Sequence, residues 1–334
     1  MADHRSPRSI VKALVRGEPP DRSLLLPIIF SLGARLENVS LAEFQANPTK
    51  IANAMRQIRA TLKVDGVTCS YDRYLEMEAL GFVREWHGNT ATMSRGEFSS
   101  IHEVREKAGS PEAFCQRKPM QGVCEVLRRL KVMLKDEPAL MASVTGPFTL
   151  ASQIAEVLDR REVRTPKSDL VELASEVTAA VSKCFLEAGA DVILLLEDRL
   201  PGLSNAEYAE WASLLSPILN VIQFYEALPV LFLSESVIPR HELRQAVLEN
   251  WDGIWSLVLP ANSSACWDAW HGGECVPCLG LPPEVFAGFA PDPAYVAQAS
   301  QMASKSIFLS SLGDLPATAR AVELEAVLQQ LRSN

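Results

Sequence analysis

Eight short apolar runs, separated by segments of helical periodicity or turn chemistry, constrain this chain more than any other feature. They are "LLLPIIF" (24–30), "GVTCSYD" (66–72), "ALMASVTG" (139–146), "ADVILLLED" (190–198), "PVLFLSES" (229–236), "GIWSLVLP" (253–260), "ECVPCLGLP" (274–282) and "SIFLSSLGD" (306–314). Each is rich in Val, Ile, Leu or Phe, as parallel strands buried on both faces should be. The intervals carry helical patterns. Residues 41–64 place Ile51, Met55, Ile58 and Leu62 on one face, and 170–189 do the same before stopping at Gly189. Residues 206–227 read as a helix bent at Pro217, and 292–305 and 317–333 read as the last two helices. This alternation predicts an α/β fold, a (β/α)8 TIM barrel. A doubly wound open sheet is the alternative, because periodicity does not show closure. The interval 73–138 is too long for one helix, and "GFVREWHGNTATMSRGEF" (81–98) predicts a hairpin inserted after strand 2, turning at Gly88-Asn89. With no internal repeat or low-complexity linker, 1–334 is expected to be a single domain.

Composition narrows the setting. Residues 1–23 are basic without an apolar core, and no window approaches eighteen uninterrupted apolar residues, so a cytoplasmic protein with no membrane partner is expected. Seven cysteines, an odd number scattered along the chain, fit a reducing compartment. A net charge of -9 disfavours nucleic acid as a partner.

"HGGECVPC" (271–278) is the stretch closest to a metal site. Cys275 and Cys278 fall on the predicted seventh strand, where residues three apart point to opposite faces. They would converge only if Pro277 broke the strand, and no second ligand pair has zinc-knuckle spacing. His271 precedes the strand and belongs at the far end of the barrel from the mouth. The pair is therefore read as buried core thiols, with no metal expected.

In such barrels chemistry sits where strands end. Here those ends are polar: Tyr71-Asp72-Arg73, Glu197-Asp198-Arg199, Ser234-Glu235-Ser236 and Gly313-Asp314. The third strand runs into "TGPFTLASQIAEVL" (145–158), where Thr149 is a candidate helix cap. Any one of these carboxylates could simply cap a helix or pair with a neighbouring Arg; four around one mouth point to a polar site.

"GEPPDR" before the first strand, "SYDRYLEMEALGF" after the second, "TGPFTLA" after the third and "GADVILLLED" at the fourth resemble the uroporphyrinogen decarboxylase superfamily. That group includes cobalamin-linked methyltransferases, and the resemblance implies a (β/α)8 barrel. Asp72 stands where the decarboxylases hold the pyrrole N–H groups. Their Arg-rich segment for substrate carboxylates is reduced to Arg35, a tyrosine is replaced by Gln153, and Leu312 stands where an imidazole is expected. A substrate with eight carboxylates needs several Arg partners, so uroporphyrinogen itself is not expected to be the substrate. In the thiol-methylating members a zinc site comprises a His-x-Cys after the fifth strand and a Cys after the eighth. Phe232, Ser234 and Gly313 occupy those places here, so no zinc is expected.

Zinc serves chiefly to make a thiolate, so the resemblance without zinc implies methyl transfer to or from a non-thiol partner. Tetrahydrofolate, or a methoxylated small molecule, is the expected partner. The corrinoid (cobalamin) would be bound to a separate carrier protein, because the chain has no Asp-x-His-x-x-Gly motif. Asp72 and Glu235 are the candidate catalytic carboxylates, with a raised pKa expected of any true acid. Arg35, Tyr71, Thr149, Gln153, Asp198, Ser234 and Asp314 are candidate substrate-binding residues. Glu76 and Glu78 lie about 200° apart on a helix and cannot share one face. The alternatives are a decarboxylase or lyase acting on a tetrapyrrole or a smaller carboxylated substrate, with Arg35 as its clamp, and a non-catalytic ligand-binding barrel. Trp267 and Trp270 are read as packing between strands six and seven, or as a surface for the carrier or a second subunit; a homodimer is the oligomeric state the resemblance implies.

Overall fold

The computed structural model describes residues 5–135, 137–159, 166–200, 203–233, 241–251, 253–260, 275–283, 308–320, 324–326 and 328–329. Eight parallel strands form one sheet: β1 (Leu24–Leu25), β2 (Gly66–Ser70), β5 (Ala139–Thr145), β6 (Val192–Glu197), β7 (Leu228–Leu233), β8 (Trp255–Pro260), β9 (Cys275–Leu281) and β10 (Phe308–Ser311). The hairpin strands β3 (Val83–His87) and β4 (Thr90–Ser94) form a separate antiparallel pair. The order β1-β10-β9-β8-β7-β6-β5-β2 brings β1 and β2 to the two ends of the sheet. Asp65 N–H donates to Leu25 O at 2.9 Å and Ile29 N–H to Thr68 Oγ1 at 3.3 Å, drawing these ends together into a nearly closed TIM barrel. The open sheet is thereby excluded. β1 is much shorter than its apolar run because Pro27 has no N–H to give. Beyond it, Ile28 N–H turns to the Ser311 hydroxyl at 2.9 Å.

Strand alternation sorts the core into two clusters. Leu24, Met141, Leu194, Val230, Val258 and Phe308 fill the barrel. Leu140, Ile193, Leu195, Leu231, Leu257 and Leu309 face the helices. The cysteine pair follows this rule: Cys278 belongs to the inner cluster and Cys275 to the outer one. The strand runs unbroken through Pro277, so the two thiols point apart. His271, Trp267 and Trp270 lie outside the described residues.

The helical expectations hold with one change. Residues 41–62 form two helices, α3 (Leu41–Gln45) and α4 (Pro48–Leu62), because Pro48 favours a first-turn position and the Asn47 side chain caps Thr49 and Lys50. Ile51, Met55, Ile58 and Leu62 are buried on one face of α4 as the spacing requires. The second helical pattern is α10 (Ser168–Ala188), ended by Gly189 at φ 111°. α11 (Asn205–Phe224) carries Pro217 inside it. The helix at 292–305 and most of 317–333 lie outside the described residues. The hairpin turns at Gly88, φ 65°.

The N-terminal ends of the strands are closed by α1 (Pro7–Val15), which places Ile10, Val11 and Leu14 against the inner cluster. Arg8 reaches Asp191 at 2.7 Å, with both side chains buried. Arg22 grips Asp65 through two bonds of 2.8 Å. The "GEPPDR" and "GADVILLLED" motifs thus supply scaffold at this end, since Asp191 also accepts from Leu140 N–H and Asp65 from Leu25 N–H. Among the described residues no helix is long and apolar enough to cross a membrane. Removing one partner of a buried ion pair strands the other charge, so Arg8→Met should cost about 3–5 kcal/mol in urea unfolding. A loss below ~1 kcal/mol, the range of an exposed pair, would show that Arg8 does not pin the plug.

Candidate functional site

The C-terminal strand ends hold their carboxylates in two different ways. Some are consumed by backbone. Glu197, fully buried at the end of β6, faces outward and accepts from Phe148 N–H at 2.9 Å and Thr149 N–H at 2.8 Å. These are the first free donors of α9 (Pro147–Asp159), and Trp211 Nε1 on α11 donates to the same carboxylate at 3.0 Å. Thr149, expected to cap this helix, instead offers its hydroxyl to Arg199 N–H. Gly146 is required here, since a Cβ would sit 2.3 Å from Glu197 Cγ. Burial raises the Glu197 carboxyl above its usual range against these bonds. Asp314 does the equivalent work for α2 (Ser31–Leu36): it accepts from Phe30 N–H, Ser31 N–H and the Ser31 hydroxyl. Burial lifts it to about 6. Asp314 is thus an acceptor at a helix terminus, as Glu197 is.

The Arg35 guanidinium donates to Ala319 O. Tyr71 sits at the inner rim beside Leu312, with its hydroxyl 3.8 Å from where a Cβ on Gly313 would be. Asp198 pairs with Arg73, and Gln153 donates to Arg73 O at 3.1 Å. Asp198 Oδ1 and Gln153 Oε1 are buried with no hydrogen-bond partner among the described residues. Ser234 and Glu235 lie outside the described residues.

Asp72 is different. It opens onto a cavity of about 620 Å3 bounded by α3, α4, the hairpin and the start of α8 (Lys118–Leu134). Arg84 of the hairpin clamps it through Nη1–Oδ2 at 2.8 Å and Nη2–Oδ1 at 3.0 Å, with both side chains nearly buried. The same guanidinium donates to Gln45 Oε1 at 2.7 Å, lies 3.0 Å from Glu78 Oε2, and stands 5.7 Å from the Trp86 ring centre. Lys118, Gln121 and Glu125 of α8 complete the polar lining, while Phe30, Ile51 and Leu75 supply apolar wall. Sequence reasoning named Asp72 but not Arg84, Trp86 or Lys118. Their only signal was the charged and aromatic content of the hairpin segment, which periodicity does not connect to the mouth.

α5 (Leu75–Leu80) separates Glu76 from Glu78 as its helical angle requires. Glu76 turns inward, fully buried, and accepts from Thr145 N–H at 2.9 Å and Thr145 Oγ1 at 2.7 Å. Burial pushes it up to about 7, opposed by the Thr145 bonds. Glu78 lines the cavity with its side chain 41% exposed, and the partial loss of solvent raises its pKa, with the Arg84 charge opposing. The fitness of the site for zinc can be judged from its donors. Phe232 is packed in the barrel interior and Gly313 has no side chain, so two of the three family positions offer no ligand atom. Among the described residues no group of three His, Cys, Asp or Glu side chains is arranged to hold a metal ion.

The comparisons agree with this architecture. The family model for uroporphyrinogen decarboxylase (URO-D) matches residues 6–235, more than half of the chain. A methyltransferase from Methanosarcina mazei shares the fold at a TM-score of 0.76 and 15% identity, over 98% of each chain. A protein of Listeria monocytogenes assigned as a vitamin-B12 independent methionine synthase superposes at a TM-score of 0.51 and 12% identity, covering 94% of this chain and 96% of its own. No curated protein matches the sequence.

Glu76 yields a pH test. Its folded-state value of about 7 lies above the ordinary 4.5, so the native state holds a proton that the unfolded chain has released. Stability from this group therefore falls as pH rises from about 4.5 to 7, by ~3 kcal/mol at 1.36 kcal/mol per unit. Glu76→Gln can keep both Thr145 bonds, because the threonine hydroxyl can accept where it now donates. The variant should gain on the wild type by about that amount between pH 5 and 7.5. Parallel stability–pH curves for the two proteins would rule out the buried protonated carboxyl.

Proposed function

The chain belongs to the uroporphyrinogen decarboxylase (URO-D) family, and within that family we propose that it is a methyltransferase. In this reading it moves a methyl group between a corrinoid held on a separate carrier protein and a small non-thiol partner bound beside Asp72. The observation that carries the reading is the pairing of Asp72 and Glu78 on one cavity of about 620 Å3. That is the size of a small-molecule site. Its charged lining is Asp72, Glu78 and Glu125 against Arg84 and Lys118, with Arg84 already bound by the first two. A substrate bearing eight carboxylates would meet net negative charge there, which argues against uroporphyrinogen.

Methyl transfer at oxygen or nitrogen needs what this cavity has. Cleaving a methyl ether requires a proton for the leaving oxygen, and methylating a secondary amine such as N5 of tetrahydrofolate requires that the amine proton be removed. Glu78 can hold that proton: burial raises its pKa, and its carboxylate is anchored by Arg84. Asp72 fixes the guanidinium and so sets the place of Glu78. Trp86 and the apolar wall offer a surface for a flat ring. The corrinoid, when its carrier is docked, supplies the methyl-bearing or methyl-accepting centre. Tyr71, Phe232 and Leu312 on the inner cluster would give that group an apolar surface. Thiol acceptors fit poorly, since among the described residues no donor set is arranged to make the thiolate.

The test is a spectrophotometric assay with methylated corrinoid, free and carrier-bound, against tetrahydrofolate, and in the reverse direction against methoxylated aromatic compounds. Glu78→Gln should lower kcat by about 10²–10⁴-fold with little change in KM, the usual contribution of a positioned acid or base. Arg84→Gln should lower kcat too, by releasing Glu78, while far-ultraviolet circular dichroism stays native. Turnover by the wild type that survives Glu78→Gln unchanged would move the proton elsewhere. Failure of every corrinoid, pterin and methoxylated ligand to bind would end the methyltransferase reading.

A further inference from the structure

Outside the barrel, α7 (Pro111–Cys115), α8 and α10 each bring one cysteine to a common point. Cys124 Sγ lies 3.2 Å from Cys184 Sγ, closer than two sulfurs in ordinary packing contact, and both side chains are buried. Cys115, at the end of α7, is half-buried; its thiol donates to Ala180 O, one turn before Cys184, and lies within hydrogen-bonding reach of the Cys184 thiol. Six of the seven cysteines fall on described residues, so half of those meet here, and none of the six is joined in a disulfide. Cys69, Cys275 and Cys278 are buried on the barrel strands. Packing alone does not call for three thiols at one helix junction, where Ala or Val would fill the space without reactivity.

We propose that this junction is an oxidation site at which Cys184 is the shared partner of an intramolecular disulfide, formed at the expense of a hydroperoxide. Cys115 is the member of the three that reaches solvent. Its sulfur attacks one peroxide oxygen, the O–O bond breaks, and a sulfenic acid and a molecule of water (an alcohol, from an organic peroxide) result. The Cys184 sulfur then attacks the sulfenic sulfur; the S–S bond forms, the S–O bond breaks, and the Cys184 proton leaves with the hydroxyl as a second water. Two thiols have lost two electrons and the peroxide has gained them. Cys124, already against Cys184, can attack the Cys184 sulfur in turn. That exchange makes the Cys124–Cys184 bond and returns Cys115 as a thiol. The hydrogen bond to Cys184 and burial hold the Cys115 thiol up, so the first step is slow and the later steps follow from proximity.

The site touches the cavity wall. Gln121, which lines the cavity, donates to Cys115 O at 2.7 Å, and Val123 and Glu125 flank Cys124 on the same helix. Closing the sulfurs from 3.2 Å to bonding distance, about 2 Å, draws together α8, which lines the cavity, and α10.

The experiment is hydrogen peroxide titration of the intact chain, followed by intact mass and by mapping of peptides after alkylation. The expected result is loss of two hydrogen atoms per monomer and a bond from Cys184 to Cys124 or Cys115, reversed by dithiothreitol, with the oxidised chain unfolding at higher urea. Cys184→Ser should abolish the bond. Cys124→Ser should trap Cys115–Cys184, and Cys115→Ser should slow bond formation ~10-fold or more, because the solvent-facing thiol is gone. A native circular dichroism spectrum for each variant keeps the comparison valid. Oxidation that stops at sulfinic acid on Cys115, bonds between chains, bonds to Cys69, Cys275 or Cys278 at equal rate, or an inert junction under peroxide that oxidises free cysteine would each overturn the proposal.

Discussion

A closed parallel sheet buried on both faces leaves no water to satisfy the polar groups where strands turn into helices, and that constraint shapes most of this molecule. The barrel's answer at β6 is Glu197. One carboxylate receives the two leading N–H groups of α9 and the indole N–H of Trp211, so β6, the helix that follows β5 and the helix that follows β6 share a single acceptor. The fit is tight enough that Gly146 cannot carry a side chain. "TGPFTLA" and "LLLED" are therefore two halves of one lock. Asp314 joins β10 to α2 by the same device, and Glu76 joins α5 to the end of β5. Each remains buried because backbone donors offset much of what desolvation costs.

That constraint explains which parts of the sequence could be read. The eight strands, the faces of α4 and the hairpin were legible because side-chain period and turn residues are local properties. The opposite orientation of Cys275 and Cys278 followed from the same rule. The split at Asn47-Pro48 was visible in the residues but hidden by a hydrophobic stripe that continues through it. The early end of β1 at Pro27 was likewise a matter of one missing donor. Site residues were harder. A carboxylate after a strand looks the same in sequence whether it caps a helix, as Glu197 and Asp314 do, or faces a cavity, as Asp72 does. The difference lies in whether backbone donors reach it, and those belong to residues distant in the chain, such as Ser31 for Asp314. Arg84 was invisible for the same reason: nothing in residues 83–87 says that the hairpin folds back over strand 2.

The hairpin deserves weight in any account of how this barrel differs in chemistry from a decarboxylase. In the family pattern the residue at Asp72 meets substrate N–H groups directly. Here its two oxygens are occupied by a guanidinium from the chain itself, at 2.8 and 3.0 Å. A bidentate clamp of this kind, nearly buried, is among the stronger interactions available to a carboxylate. Displacing it would leave Arg84 between Gln45 and Glu78 with one fewer counter-charge. The hairpin thus holds Asp72 as a fixed element of the cavity wall, and Glu78, further along the chain on α5, lies beside the same guanidinium.

The proposed chemistry also differs from zinc activation of a thiol in what it asks of a pocket. Zinc chemistry acts on the acceptor by lowering the pKa of its thiol, whereas a carboxyl with a raised pKa acts on the heteroatom by carrying its proton. The two strategies ask opposite things of a pocket: the first wants soft donors converging on a cation, the second wants an acid in a partly desolvated place beside a compensating charge. Phe232 in the barrel interior and the bare Gly313 offer no ligand atom for the first, and the proposed function rests on Glu78 beside Arg84 for the second. The hairpin and the Glu78 carboxyl are carried by loops, on a barrel whose motifs at Arg22, Asp65 and Asp191 form ion pairs at the other end of the strands.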